Sequence, residues 1–133
     1  MFRFHWLEEA QHAVLDELEW KREDRKLDAV QRDRAVNDFI ALVAAVDGIL
    51  QQQAKVDCDY FVKHCGRSLP DSEVQRFHNA FLSSYRWQYI FSGVQVQRFM
   101  ETLTSLITED QLYRIENALL SLVIPPAGLE GDL

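Results

Sequence analysis

The sequence has no basic run, no long apolar run and few cysteines, and each shortage removes a class of function. Lys21-Arg22 and Arg25-Lys26 are its densest basic positions, yet Glu23, Asp24 and Asp28 are interleaved with them. With a net charge of −7, that segment reads as a solvated helix face and not as a nucleic-acid-binding surface. The longest apolar run, Phe39 to Val46, is eight residues, far short of the roughly 20 needed to span a bilayer. Met1 to His5 leads straight into Glu8 and Glu9 without an apolar stretch, so no secretion signal is expected. The two cysteines, Cys58 and Cys65, fall on one expected helix with Cα atoms about 10 Å apart, too far for a disulfide. Reduced thiols in a cytoplasmic protein are the expectation. Neither has a Cys or His pair nearby to make a metal site with His64, and neither has a local partner to lower its pKa. No Gly-x-Ser-x-Gly turn occurs, which argues against nucleophilic hydrolysis. Internal repeats, low-complexity tracts and strand patterns are also lacking.

What remains is helical pattern almost throughout. The chain has 133 residues, 47% of them hydrophobic, enough for one domain with a real core. We expect an all-α bundle of about five helices, two of them long, over residues 1–126, with a mobile tail over 127–133. The first helix should run from about Phe2 to Arg25, with Leu7, Ala10, Val14, Leu15 and Leu18 as its apolar stripe. A charged segment, Lys21 to Arg34, follows, and the chain must reverse somewhere within it. The second helix should extend from Leu27 or Ala29 to His64, closed by Cys65-Gly66 with Gly66 as left-handed terminator. Its apolar density between Phe39 and Leu50 predicts burial on more than one side, and Gly48 suggests a close helix approach.

The third helix opens around Ser68 to Glu73, where Pro70 and the acids suit a first turn, and should stop at Gly93. Phe77, Phe81, Tyr85, Trp87, Tyr89 and Phe91 make it the aromatic element, with Arg86 placed for a cation–π contact. A fourth helix should cover Val96 to Ile107. Thr108 and Gln111 form a capping-box pattern that opens a fifth, ended by Pro125-Pro126.

The stretch with most chemistry is Phe4 to Glu19. It contains two of the four histidines, His5 and His12, and Glu9 lies three residues before His12. On a helix, a carboxylate and an imidazole three apart point at a common spot, so Glu-x-x-His can supply two ligands to one metal ion. At about 100° per residue, His5, Glu9, His12 and Asp16 fall within roughly 60° of each other, nearly opposite the apolar stripe. Asp47, Gln53 and Asp57 are candidate ligands from the second helix. His64 and His78 have no spacing that would support heme or small-ligand binding.

The run His5-Trp6-Leu7-Glu8-Glu9-Ala10-Gln11-His12-Ala13 resembles the Glu-x-x-His helix of ferritin-like di-iron carboxylate proteins. The resemblance covers about 16 residues. It implies a four-helix bundle with a dinuclear iron or manganese centre, and oxygen or peroxide chemistry or metal storage. Glu9 and His12 would be direct ligands, His5 a ligand or its neighbour, and Asp16 an acceptor orienting an imidazole. A complete site of this kind takes a carboxylate from each of two helices and Glu-x-x-His from each of two others. Only His12 has a glutamate three residues before it, so this chain offers about half a ligand set. It corresponds to part of a larger ferritin-like protein, or a homodimer completes the site, or the site is degenerate. The competing expectation is a metal-free helical interaction module that dimerises and presents its aromatic third helix to a protein partner.

Overall fold

The computed structural model describes residues 2–123, with side chains from Ala10 onward. Its helices are α1 (Phe2–Asp24), α2 (Ala29–His64), α3 (Asp71–Arg86), α4 (Gln97–Leu106) and α5 (Glu109–Leu120). Beyond α3 the helical path continues through a π-helical turn, Trp87–Phe91, and a short final turn, Ser92–Val94. No strand occurs among the described residues, and the architecture is the expected all-α bundle. Among these residues no helix is long and apolar enough to cross a membrane. The expected tail over 127–133 lies outside the described residues.

Local chemistry fixes the helix ends. The reversal after α1 is set by Asp28, whose carboxylate accepts from the Gln31 backbone N–H while the Gln31 side chain accepts from the Asp28 N–H. Thr108 and Gln111 make the same reciprocal pair at the start of α5. Gly66 follows α2 with φ +75°, a left-handed conformation that favours glycine.

Helix α2 is the spine. One cluster, Leu50, Ala54, Leu82 and Ile90, seals it against α3 and the π turn, with Val43, Val46, Phe81 and Tyr85 around it. A second, Val36, Leu103 and Ile115, joins α2 to α4 and α5 and receives Trp20 from α1. Full burial of side chains such as Leu50 and Leu103 contributes about 1.5–3 kcal/mol each. The Trp20 and Phe99 rings lie 5.6 Å apart, and Glu17 pairs with Arg98, so α1 docks on α4 through its C-terminal turns.

Three expectations are revised. Helix α3 does not simply stop at Gly93. Leu82, Arg86 and Ile90 recur every four residues, a spacing that drifts by about 40° per step on an α-helix. The wider π turn takes up that drift and returns Ile90 to the α2 interface. The stripe on α1 is not the face that docks: Ala10, Leu15 and Leu18 are exposed, because Glu17, Trp20, Lys21 and Asp24 supply the contacts and side-chain bonds to α2 and α4. Gly48 meets no close helix within the chain, for a Cβ built on it would touch nothing within 4 Å.

Candidate functional site

Helix α1 runs unbroken from Phe2 to Asp24, so its periodicity brings positions 5, 9, 12 and 16 onto one face. The side chains of His5 and Glu9 lie outside the described residues. His12 and Asp16 are exposed, one turn apart, on a part of α1 beyond the Trp20 contact. Among the described residues no three His, Cys, Asp or Glu side chains come together in a way that could hold a metal ion.

The acids expected as second-helix ligands are engaged elsewhere. Asp47 is 3% exposed and Arg86 8%, and they form a bidentate pair. Arg86 Nε donates to Asp47 Oδ1 at 2.6 Å and Nη2 to Oδ2 at 2.9 Å. Arg86 Nη1 donates to the Leu122 carbonyl at 2.7 Å, and Gln51 Nε2 donates to Asp47 Oδ2 at 2.6 Å. One guanidinium thus ties α2, α3 and the chain just after α5, and its partner is a carboxylate and not the neighbouring rings. Burial alone would raise the Asp47 carboxyl, but hydrogen bonds from Arg86 and Gln51 outweigh it and hold the group below its usual range. Sequence reasoning missed this pair. The signal for it was there: Asp47 is a lone acid inside an apolar run and Arg86 a lone base inside an aromatic one. Buried charges need partners.

Asp57 faces α3 as well. It accepts a 2.6 Å hydrogen bond from Tyr85 Oη and a 2.8 Å bond from Gln53 Nε2. The Tyr85 bond, with help from Gln53, lowers the Asp57 carboxyl, and the same contact raises the Tyr85 phenol. Tyr85 is therefore a protonated donor to a carboxylate on α2. The shallow cavity beside it, about 420 Å³, is lined by Tyr60, Phe61, His64, Cys65 and Phe81. His64 accepts no role there beyond the helix end: its Nδ1 lies 2.8 Å from the Tyr60 carbonyl and its ring stacks on Tyr60. Cys58 is buried, its thiol pushed up by desolvation, which suits packing and not nucleophilic work.

One open feature is apolar. A groove of about 460 Å³ runs between α2, the π turn, α4 and α5, past Val43, Val46, Ile90, Phe99, Leu103 and Leu119, with Leu42 and Tyr89 also on its lining. Among the described residues, Glu116 alone of its lining is charged. The aromatic helix divides in use: Phe77, Phe81 and Tyr85 pack in a row of rings with Phe61, while Trp87 and Tyr89 are exposed. Leu42, Ile49 and Val56 are 60%, 66% and 61% exposed on the side of α2 away from α3. The second apolar side of α2 is thus present, as its composition predicts, but among the described residues no helix covers Leu42, Ile49 and Val56. No family model, no curated protein and no solved structure matches the chain.

Proposed function

We propose that α1 supplies one Glu-x-x-His half of a ferritin-like iron or manganese site whose remaining ligands come from a second chain. The observation that carries the reading is the state of α1. Among the described side chains of α1, His12 and Asp16 on one face and Leu15 and Leu18 on the other are exposed. Exposed leucines on a helix call for a further helix against them, and the ligand-bearing positions, on the opposite face, would need a second covering segment. Glu9 and His12 would hold the metal directly, with His5 beside them and Asp16 accepting from an imidazole. Carboxylate and imidazole donors suit iron and manganese, and the bound metal would supply oxidoreductase chemistry with oxygen or peroxide. Asp47 and Asp57 take no part, since Arg86 and Tyr85 occupy them.

The test is elemental analysis of protein produced with iron and manganese supplied, set beside the Glu9→Ala, His12→Ala variant. Retained metal in the parent and its loss in the variant are expected; a metal-free parent would sink the proposal. In that case the metal-free interaction module stands in its place, favoured by Trp87 and Tyr89, which the π turn leaves exposed.

A further inference from the structure

The outer face of α2 has a pattern that nothing in the metal reading uses. From Phe39 to Ala54, sixteen residues, the only charged side chain is Asp47, and it points inward to Arg86. In a chain that is 26% charged, this leaves a charge-free belt on an exposed helix. Depletion of charge is the compositional mark of an interface centre. Leu42 and Ile49 within the belt and Val56 just past its end form a ridge at seven-residue spacing. Beside the ridge, Ala41, Ala45 and Gly48 form a trough with open space over Gly48. A mid-helix glycine costs about 1 kcal/mol relative to alanine, and no contact among the described residues offsets it.

The charges that bound the belt say what lies across it. Ala41, Ala45, Gly48 and Gln52 follow one another in steps of four and three, and the same line continues to Arg34 and Asp38 before them and Lys55 and Asp59 after them. A second copy laid parallel would set each of these charges against its own kind. Laid antiparallel, with the two-fold between Val46 and Asp47, Arg34 comes level with Asp59 and Asp38 with Lys55, each twice, so that Arg34 and Asp38 flank the Lys55–Asp59 pair that the chain itself forms at 2.6 Å. The same two-fold interleaves Leu42, Ile49 and Val56 from the two copies along one edge of the trough. A two-fold interface needs one patch that is complementary to itself, and this patch is. Leu42 and Tyr89 extend it into the neighbouring groove. We propose that the chain forms an antiparallel homodimer through the outer face of α2, whether or not α1 binds metal.

Sedimentation equilibrium of the full chain with EDTA present tests this, because a dimer bridged only by metal on α1 would then dissociate. A chelator-resistant dimer is expected, and Ile49→Asp should raise its dissociation constant by at least about tenfold. Asp38→Lys, at an exposed site, should weaken the dimer several-fold, and adding Lys55→Asp in the same chain should restore it. Circular dichroism of each variant should match the parent. A monomeric parent, a dimer indifferent to Ile49→Asp, or a charge swap that fails to rescue would each overturn the proposal.

Discussion

Arg86 is the residue on which the packing of three segments converges. Removing it alone, as in Arg86→Met, strands the Asp47 carboxylate in the core and should cost about 3–5 kcal/mol. The paired change Asp47→Leu, Arg86→Met removes both charges and should leave the protein near parent stability; denaturant titration of the two variants checks the difference. The pH dependence has a definite sign. Asp47 has a folded pKa below its unfolded value, so its stabilisation is complete above the unfolded pKa and is lost as pH falls through the folded one. The parent should therefore lose stability in acid more steeply than the doubly changed protein, as thermal melts across the acidic range would read. At Tyr85 the expected effect is a titration shift. Tyr85→Phe deletes the bond that lowers Asp57, so an NMR pH titration should find that carboxyl moved up toward its ordinary value. An unmoved carboxyl would remove Tyr85 as the cause.

Among the elements, caps decide where the chain turns. Thr108→Ala should cost about 1 kcal/mol by leaving the Gln111 N–H at the start of α5 without its acceptor, and Gly66→Ala about 1–2 kcal/mol through its left-handed backbone. Thermal melts of both variants measure this. Those two ends were legible in the sequence because each rests on side chains within four residues. The Asp28 cap was equally local and equally readable, through Gln31 three residues on, although the charged surroundings masked it. The π turn was not legible: it answers the mismatch between the four-residue spacing of Leu82, Arg86 and Ile90 and the surface of α2, a tertiary demand. The docking face of α1 was hidden for a similar reason. Its apolar stripe is the stronger pattern, but Trp20 and the ion-paired Glu17 make the contacts within this chain. Sequence pattern reports which faces want burial; it does not report which neighbour supplies it.

At the scale of the molecule, the described residues form a five-helix bundle with more apolar helix face than they cover. The exposed leucines of α1, Leu15 and Leu18, and the outer side of α2 lie on different helices and have different chemistry. The α2 face is free of charge and self-complementary, which suits a second copy. On α1 the apolar stripe has the positions of His5, Glu9, His12 and Asp16 at its back, and this suits helices that bring ligands. The Glu-x-x-His pattern behind the proposed half-site was legible because it is a local spacing; what would complete such a site was not, because only His12 has a glutamate three residues before it. A titration of EDTA-treated, buffer-exchanged protein with Mn²⁺, followed by the electron paramagnetic resonance of the free ion, addresses this half-site most directly. The expected result is suppression of the free-ion signal by the parent and its full return with Glu9→Ala, His12→Ala. A free-ion signal as strong with the parent as in buffer alone would contradict the assignment of α1 as a metal-ligand helix.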